Sequence, residues 1–461
     1  MASIASGLDS IMDAGFSLYA CAFSAIDSYL GRESLPYVFL QTDAGVADLV
    51  RILGDAFDGA EIRFPGVSLA DLALGAQGLT WYFRCNDDDD DAEIEKHCNL
   101  SLSQPPGFFG ANSWEIGPKP DFPVESRAVV PKSDILKQPH LYRSFRLLSF
   151  YQDLYTGHFH DPEGVYPFLL SLKKERFSVQ ADCAGAAPGL ERFRLLLDAA
   201  LICARYNGPY RTLEKISGAE ILLSLKIESK MKRSFTRTTS EKPEGPLPSL
   251  EEQRIFLTGL LVSPRPDLGF QLLKASGLVA ELWPEIAAMD DVDHSKEFHP
   301  EGNVWSHTME TFQHRKPVNG GAFDLLLSLG LLFHDIGKPL SQSAGRRRFS
   351  GHAEIGEQVT RRFLERLEFD RSLVASVCYL VRNHMLPAAL PRLPLSRTGE
   401  IISSPLFPVL MELYRCDESS SFKGLDAYYE SSAAYQSYLK NRRNPYRSAD
   451  GKKLNRYTLL S

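Results

Sequence analysis

The sequence has few of the features that mark secreted proteins. Its 461 residues include seven cysteines, and no two of them form a Cys-x-x-Cys pair. This argues against a disulfide scaffold and against a cysteine zinc site, and it is typical of proteins in a reducing compartment. No lysine or arginine precedes Arg32, so the positive segment of a signal peptide is missing. We therefore expect a cytoplasmic protein.

Long apolar runs are missing as well. The sequence contains no uncharged, apolar stretch of about 18 residues, so we expect no membrane-spanning helix and no membrane partner. An overall excess of positive charge is also absent, because the net charge is −7. Any RNA contact must therefore come from local basic segments. The last segment, "YLKNRRNPYRSADGKKLNRYTLLS", is basic and contains tyrosines. It is typical either of a frayed tail or of a surface that contacts phosphates and bases.

The residues that are present indicate a mixed fold. In the first 125 residues, "PYVFLQT" and "LTWYFRC" predict strands, and "AGVADLVRILGDAF" predicts a helix. Further along the chain the patterns turn helical, as in "LYRSFRLLSFYQDLY", "LERFRLLLDAALICARY" and "EEQRIFLTGLLV". The expected fold class is therefore α+β.

The patterns divide the chain into six segments. A polar, basic and then Pro/Gly-rich stretch separates two helical parts and predicts a linker. The segments are 1–125, an α/β unit; 126–228, helical; 229–250, the linker; 251–290, helical; 291–425, helical and rich in histidine; and 426–461, a basic tail.

Seven of the eleven histidines lie between residues 294 and 384. Among them, His334 stands beside Asp335 directly after the apolar run 323–333. An unpaired carboxylate in such surroundings costs several kcal/mol unless a cation compensates it. Neighbouring residues lie about 100° apart around a helix, so both side chains can border one point between helices.

Other predicted helices carry side chains that can complete a metal site around this pair. The candidates are His307, His352, His384 and Asp417. Neutral imidazole and carboxylate suit Mn, Fe, Co, Ni or Zn, and Mg stays open as well. The alternative is that His334 and Asp335 are merely hydrogen-bonded within a core. With four further ligands on neighbouring helices, we favour a divalent metal ion of unknown identity.

Two basic features indicate a phosphate substrate. Lys338 lies one helical turn beyond His334 and can bring a point charge to the same site. The loop "GRRRFSGH" carries Arg346, Arg347 and Arg348, whose guanidinium groups suit phosphoryl oxygens, although a solvated loop is an equal alternative. The set favours metal-assisted phosphoester hydrolysis, with His334, Asp335 and Lys338 as catalytic residues.

These residues carry a family resemblance. The pattern His307, His334–Asp335, Asp417 resembles the His…His-Asp…Asp signature of HD-domain phosphohydrolases. The stretch "LLVSPRPDLGFQLLKASGLVAELWPEIAAM…FHPEGNVWSHTMETF" resembles the body and HD region of bacterial tRNA nucleotidyltransferases, the CCA-adding enzymes of the poly(A) polymerase family. "LEKISGAEILLSLKI" resembles their neck.

The resemblance implies names for the segments. Residues 1–125 would be a nucleotidyltransferase-like α/β head, 126–228 a helical neck and RNA-binding-like region, 251–290 a helical body, and 291–425 an all-α HD domain. It also implies a nucleotide or an RNA 3′ end, such as that of tRNA, as the partner. The oligomeric state is left open.

The head departs from the family pattern. "LGR" (30–32) and "TDA" (42–44) anchor the comparison, and Asp27 is retained. The family's two glycines, its arginine and its two catalytic aspartates fall on Ala22, Phe23, Ile26, Tyr37 and Phe39. Glycines let the backbone approach a triphosphate, and carboxylates hold the metal ions of phosphoryl transfer. The resemblance therefore implies a degenerate head whose transferase site has decayed.

Three functions follow, in order of preference. The first is a metal-dependent phosphohydrolase of phosphomonoesters or 2′,3′-cyclic phosphodiesters at RNA ends, on a transferase-like scaffold. The second is a non-catalytic RNA- or tRNA-binding protein that keeps the scaffold. The third, an active nucleotidyltransferase, conflicts with Tyr37 and Phe39.

Overall fold

The structure is a computed structural model. It describes residues 4–32, 35–57, 61–65, 70–76, 79–85, 150–161, 190–206, 247–293, 302–318, 323–343, 349–421, 424–444 and 446–453, together with 148, 164 and 169. The chain forms two compact units. The first contains Met1–Leu278 and Pro317–Phe323, and the second contains Val279–Lys316 and Asp324–Ser461.

A mixed sheet of seven strands is the centre of the first unit. The strands are β1 (Leu18–Cys21), β2 (Tyr37–Thr42), β3 (Glu61–Arg63), β4 (Leu72–Ala76), β5 (Leu79–Arg84), β6 (Tyr151–Asp153) and β7 (Phe159–His160). Their order is β3-β4-β5-β2-β1-β6-β7. Strands β2 and β5 are parallel, and the other neighbours are antiparallel. The α+β class expected from the sequence is confirmed.

Alternation along the strands gives the sheet two different faces. On one face, Leu40, Trp81 and Phe83 belong to a hydrophobic core. Helices α1 (Ile4–Asp13) and α3 (Val46–Ala56) contribute to that core and pack against each other. This arrangement is the small α/β unit that the alternating patterns of the first 125 residues predict.

The opposite face of the sheet is aromatic. Phe39 is paired in register with Tyr82, and their rings stack with centroids 5.1 Å apart. Tyr37 lies edge-on to Phe39, at 5.8 Å. The Tyr37 hydroxyl occupies the space that a side chain at Gly259 would need. The residues of this face are therefore covered by a helix of the same unit rather than open to a ligand.

The described residues of the first unit form three further helices: α4 (Leu190–Tyr206), α5 (Leu250–Leu261) and α6 (Pro266–Ala275). Helix α5 begins with a capping box, in which Ser249 and Glu252 exchange hydrogen bonds with each other's backbone nitrogen, so two helical N–H groups are satisfied. Gly269 lets α6 approach α4 closely, because a Cβ there would lie 2.9 Å from the Ala200 carbonyl oxygen.

Two buried ion pairs attach these helices to the sheet and to α2 (Phe23–Leu30). The guanidinium of Arg205 on α4 lies 2.7 Å from the Asp27 carboxylate on α2. Glu251 on α5 accepts hydrogen bonds from Arg63 on β3 and from the Tyr82 hydroxyl on β5. Each pair has a carboxylate that is nearly inaccessible to solvent, so removing one partner would leave a buried charge uncompensated.

The helical prediction for the stretch "LYRSFRLLSFYQDLY" is wrong for residues 151–153. They form β6, which lies between β1 and β7 in the sheet and pairs Tyr151 with Cys21 of β1. Aromatic residues such as Phe150 and Tyr151 fit a pleated, buried surface, and the unpaired edge of β1 outweighed the local helical pattern. Residues 151–153 and 159–160 of the segment 126–228 therefore contribute to the sheet. The predicted neck stretch "LEKISGAEILLSLKI" lies outside the described residues.

The second unit is built from helices. They are α7 (Leu278–Leu282, its first residue in the first unit), α8 (Pro284–Ala287), α9 (Val304–Thr311), α10 (Leu325–Phe333), α11 (Lys338–Ser343), α12 (His352–Arg366), α13 (Arg371–Asn383), α14 (Leu386–Ala389), α15 (Leu395–Ile402), α16 (Phe407–Ser419) and α17 (Asp426–Arg442). Helix α10 is central, because every residue from Leu327 to Phe333 is buried. It packs against α13 and α16, and Gly330 leaves room there for Leu380 and Leu413.

Side chains cap the helices that carry the candidate site. The Asp324 carboxylate accepts a hydrogen bond from the Leu327 nitrogen at the start of α10, at 2.6 Å. Asn303 caps α9 and Asp370 caps α13 in the same way. Such caps satisfy backbone N–H groups that a helix leaves without partners in its first turn.

Among the residues that the structure describes, no single helix has the length and apolar content needed to cross a membrane. Helix α13 and the bent stretch that follows it, Leu386–Arg392, meet that test together by length and composition alone.

The turn between β1 and α2 generates a stability prediction. Ala22 has φ 52° and ψ −125°, a conformation that costs an L-residue about 1–3 kcal/mol and suits glycine. We expect Ala22→Gly to stabilise the protein by about 0.5–1 kcal/mol, since glycine's greater freedom in the unfolded chain offsets only part of the relief. Urea denaturation measures the change. Ala25→Gly, within helix α2, is the control and should lower the free energy of unfolding by about 1 kcal/mol, because glycine is unfavourable inside a helix. A lower free energy of unfolding in both variants would contradict the prediction.

Candidate metal centre

The His–Asp pair follows the central helix of the second unit. Helix α10 ends at Phe333, and His334 continues with helical angles, φ −52° and ψ −38°. Asp335 lies in the turn that leads to α11, where the Lys338 nitrogen donates a hydrogen bond to the Asp335 carbonyl oxygen at 3.0 Å. The prediction that both residues lie within a helix is therefore corrected, because the helix ends one residue before the pair. The turn still directs both side chains to one place.

Gly337 is the reason that this turn can approach α12. A Cβ at Gly337 would overlap the His352 carbonyl oxygen and would lie 2.5 Å from the Gly356 nitrogen. Only a glycine permits such contact between the backbone of the turn and the backbone of the helix. The contact brings Asp335 next to His352.

The structure brings all six predicted ligands together, in two groups of three. In each group the candidate ligand atoms lie within 4.8 Å of one another. The first group is His307, His334 and Asp417, and the second group is Asp335, His352 and His384. Their side chains come from α9, α12, α16 and the residues that directly follow α10 and α13.

In the first group, Asp417 Oδ1 lies between two imidazoles. It is 2.9 Å from His307 Nε2 and 3.8 Å from His334 Nε2. Both histidines are buried, whereas the Asp417 side chain is 24% exposed. The group therefore reaches solvent through its carboxylate.

In the second group, two imidazoles face each other. His352 Nε2 and His384 Nε2 are 3.0 Å apart. Asp335 Oδ1 lies 3.4 Å from the first of these nitrogens and 3.7 Å from the second. The three atoms form a compact triangle of two nitrogens and one oxygen.

Asp335 connects the two groups. Its Oδ1 belongs to the second group, and its Oδ2 lies 3.4 Å from His334 Nε2 in the first. The Lys338 ammonium also contacts Oδ2, and it lies 5.6 Å above the Phe349 ring. Lys338, which the sequence analysis predicts to bring positive charge to a phosphate, therefore contacts the carboxylate that the two groups share.

Backbone carbonyls orient three of the four imidazoles. His334, His352 and His384 each direct Nδ1 at the carbonyl oxygen three residues earlier, at 2.8, 2.8 and 2.7 Å. A carbonyl only accepts, so Nδ1 of these rings carries a proton, and a neutral ring then presents a lone pair at Nε2. Hydrogen bonds of this kind fix the ring orientation in metal sites.

The fourth imidazole has a different support, which the sequence did not reveal. His307 Nδ1 lies 3.2 Å from the hydroxyl of Ser420. The same hydroxyl donates a hydrogen bond to the Asp417 carbonyl oxygen at 2.7 Å. Ser420 stands among three consecutive serines, 419–421, and nothing in that run distinguishes it.

The surrounding charges favour the ionisation states that bind metal. Burial raises the pKa of the Asp335 carboxyl, but the Lys338 ammonium and the neighbouring histidines outweigh it and hold that pKa well below its ordinary value. Burial likewise raises the pKa of Asp417, and the hydrogen bond with His307 reverses the effect and holds it low. Burial lowers the pKa of His384 to about 4. Both acids are therefore ionised, and His384 is neutral, at neutral pH.

The donor set fits a divalent ion. Two Nε2 lone pairs that face each other at 3.0 Å repel unless a proton or a cation lies between them. His334 Nε2 is buried and has no hydrogen-bond partner among the described residues. Ligands about 2.0–2.1 Å from one ion lie about 3–3.4 Å from each other, which is close to the separations seen here. Imidazole and carboxylate suit Mn, Fe, Co, Ni or Zn.

The remaining predicted site residues have different outcomes. Arg346, Arg347 and Arg348 lie outside the described residues. In the head, the compared positions Ala22, Phe23, Ile26, Asp27, Tyr37 and Phe39 are all buried. Phe23 stacks on Tyr206, with centroids 6.2 Å apart, and the Asp27 carboxylate pairs with Arg205. These side chains form packing and ion-pair contacts within the first unit.

Comparison with known families matches part of the second unit. Residues 304–404 match the model of the HD domain. The matched stretch contains five of the six candidate ligands, and Asp417 lies beyond its end.

Curated relatives are tRNA nucleotidyltransferases. The chain is 37% identical to the CC-adding tRNA nucleotidyltransferase of Thermus thermophilus over 147 residues, 31% of this chain and 33% of the relative. It is 31% identical to the A-adding tRNA nucleotidyltransferase of Deinococcus radiodurans over 174 residues, 36% of this chain and 39% of the relative. The matches thus span about a third of the relatives' length. The resemblance predicted from the sequence is confirmed.

Solved structures of similar proteins were also found. A CCA-adding enzyme in complex with ATP matches 98% of this chain and 92% of its own, with a TM-score of 0.40 and 12% identity. A tRNA nucleotidyltransferase complexed with a primer tRNA and an incoming ATP analog matches 95% of this chain and 99% of its own, with a TM-score of 0.41 and 13% identity.

The contact at Gly337 generates a prediction. We expect Gly337→Ala to lower the free energy of unfolding by about 2–3 kcal/mol, because the new methyl group meets backbone atoms that cannot rotate away. Displacement of the turn should also reduce metal uptake by moving Asp335 from His352. Urea denaturation and elemental analysis measure the two effects.

Gly399→Ala is the matched control. A Cβ there meets only Leu395, at 3.7 Å, so the substitution should stabilise α15 by about 0.5–1 kcal/mol. Equal denaturation midpoints for the two variants would contradict the proposed contact.

Proposed function

We propose that this chain, whose residues 304–404 match the HD domain, is a metal-dependent phosphohydrolase. Its substrates would be phosphomonoesters or 2′,3′-cyclic phosphodiesters, including those at RNA ends. One observation carries the proposal: two groups of three ligand atoms converge in the second unit and share the carboxylate of Asp335. Such a set suits the hydrolysis of phosphoesters.

The metal supplies the reactive chemistry when it is bound, since a divalent ion neutralises charge on the phosphoryl oxygens and makes a coordinated water more acidic. The protein's own residues hold and orient that centre. Asp335 offers one oxygen to each group, and the backbone carbonyls aim the Nε2 atoms of three histidines inward. The low pKa of Asp335 keeps it a carboxylate throughout the neutral range.

The centre has an accessible side. His307, His334 and His384 are buried, whereas the side chains of His352 and Asp417 are 12% and 24% exposed. A phosphate that approaches these two residues would reach both groups. Lys338 lies next to the shared carboxylate and adds positive charge near the approaching anion. Three arginines, 346–348, lie between Lys338 and His352 in the sequence and are proposed to contact phosphate.

The head is proposed to lack transferase activity. The two positions compared with catalytic aspartates hold Tyr37 and Phe39, which are buried and contact each other. An aromatic side chain cannot supply the negative oxygen ligands that the ions of phosphoryl transfer require. The relatives named above are nucleotidyltransferases, so this proposal separates the present chain from their reaction.

A second candidate function, RNA binding, is favoured by the basic C-terminal segment. Residues 440–453 include six lysines and arginines and one acidic residue. All six basic side chains are exposed, and the Tyr446 ring is 68% exposed. Arg447 and Lys453 lie opposite each other in a β-bridge. An exposed segment with a surplus of positive charge favours an anionic partner such as the phosphates of RNA.

The hydrolase proposal is tested with the full chain and Asp335→Asn. We expect the wild type, supplied with Mn, Co, Ni, Zn or Mg, to hydrolyse 2′,3′-cyclic nucleotides or 3′-phosphorylated RNA, and EDTA to abolish the reaction. Asp335→Asn should lower kcat/KM at least about 100-fold, because the shared charge is lost from both groups. Phosphate release measures the rates.

Asp426→Asn is the control, since it removes an exposed acid from α17 in the same unit and should leave kcat/KM unchanged. Thermal unfolding of Asp335→Asn separates a loss of chemistry from a loss of fold. A wild type that hydrolyses none of these substrates with any of the five metals would contradict the proposal.

The RNA-binding candidate is tested by the salt dependence of binding. Binding of tRNA should weaken as salt rises, and Lys452→Ala with Lys453→Ala should weaken it and reduce the slope of log K against log salt by about 1 to 2. A double variant at Lys274 and Arg362, basic residues outside the segment, is the control for total charge. Binding that is absent or insensitive to salt would count against this candidate. Filter binding or band shifts provide the measurement.

A further inference from the structure

We infer that Ser420 supports His307 in the tautomer that binds an ion, and that a second tautomer, in which His307 donates to Asp417, makes the first ligand group (His307, His334, Asp417) release its ion more readily than the second group (Asp335, His352, His384). The two metal positions then have unequal affinities, and Ser420 is a positioning residue for the weaker one. The inference rests on the proposed function, because it concerns the ions of the same centre.

The geometry around Ser420 carries the first step. Its side chain is 5% exposed, and its hydroxyl oxygen lies 3.2 Å from His307 Nδ1 and 2.7 Å from the Asp417 carbonyl oxygen. A hydroxyl can donate one hydrogen bond and accept others, whereas a carbonyl can only accept. Ser420 can therefore serve either protonation pattern of the His307 ring.

With an ion in place, one pattern is favoured. The Ser420 hydroxyl donates to the Asp417 carbonyl oxygen and accepts a hydrogen bond from His307 Nδ1–H. His307 Nε2 then carries the lone pair that an ion requires. This is the orientation that carbonyl groups impose on the other three histidines.

Without an ion, the same residues adopt the other pattern. The Ser420 hydroxyl rotates and donates to His307 Nδ1, and Nε2–H donates to Asp417 Oδ1, which lies 2.9 Å away. The ring keeps a single proton in both patterns, and only its position changes. The hydrogen bond to an ionised carboxylate is a strong one, so His307 and Asp417 remain satisfied when the ion leaves.

The second group lacks this alternative. His352 and His384 direct Nδ1–H at the carbonyl oxygens of Phe349 and Val381, and neither carbonyl can donate. Their Nε2 atoms face each other at 3.0 Å, so departure of an ion leaves two lone pairs opposed until one ring takes up a proton from solvent. The Lys338 ammonium contacts Oδ2 of Asp335, whereas Oδ1 faces this group. The second group therefore holds its ion more tightly.

The test compares Ser420→Ala with Ser421→Ala in the full chain. The Ser421 hydroxyl donates to the Glu418 carbonyl oxygen three residues earlier, at 2.9 Å, as Ser420 does to Asp417. After removal of metal by a chelator, each protein is titrated with Mn²⁺ by calorimetry and with Co²⁺ by visible absorption. These readouts do not depend on hydrolysis.

We expect two binding events of unequal affinity in the wild type. Ser420→Ala should weaken the weaker event by about 10- to 100-fold, as loss of a ligand's supporting hydrogen bond does in metal sites, and leave the tighter event unchanged. Ser421→Ala should alter neither event, and Ser420→Thr, which restores a hydroxyl, should recover the weaker event. Thermal unfolding confirms that each variant is folded; if Ser420→Ala is not, Ser420→Cys should show the same selective loss.

Two results would overturn the inference. If Ser420→Ala leaves both events unchanged, the hydroxyl does not support His307. If it weakens both equally, Ser420 acts on the whole centre rather than on one group. A wild type that binds neither Mn²⁺ nor Co²⁺ would instead overturn the proposed function, and the inference with it.

Discussion

The structure of the second unit depends on a negative charge held inside an apolar helical domain. Asp335 follows a helix whose residues from Leu327 to Phe333 are all buried, and its own side chain is only 4% exposed. Such a charge is tolerated because Lys338 contacts one oxygen and imidazoles surround both. The convergence of α9, α12 and α16 on this point satisfies the carboxylate and creates a set of inward-facing nitrogens. The same contacts therefore stabilise the buried charge and assemble the candidate metal centre.

Much of this could be predicted from the sequence, and the failures have physical causes. The convergence of the six candidate ligand residues could be predicted, because a buried aspartate or histidine is costly unless a partner or a cation compensates it. The role of Ser420 could not, because Ser419, Ser420 and Ser421 are alike in sequence and only the end of α16 decides which one meets His307. The strand Tyr151–Asp153 was missed for a similar reason. Its pairing with β1, which is distant in sequence, outweighed the local helical pattern.

One face of the sheet in the first unit is held together by aromatic packing. Tyr37, Phe39 and Tyr82 turn one face of the sheet into an aromatic layer, and Glu251 on α5 binds two side chains of that sheet. Ala22 has a positive φ of 52°, a backbone conformation that suits glycine. Packing contacts therefore occupy the positions Tyr37 and Phe39, which the sequence comparison aligned with the family's two carboxylates.

The backbone hydrogen bonds to the imidazoles affect which positions near the centre tolerate substitution. Because His334, His352 and His384 are aimed by main-chain oxygens three residues earlier, the identities of Leu331, Phe349 and Val381 are not what holds the rings. Those positions can drift among residues of similar size while the imidazoles stay in place. Among these four histidines, His307 is the one whose Nδ1 faces a side chain, that of Ser420, so its orientation depends on the residue at position 420 as well as on the backbone.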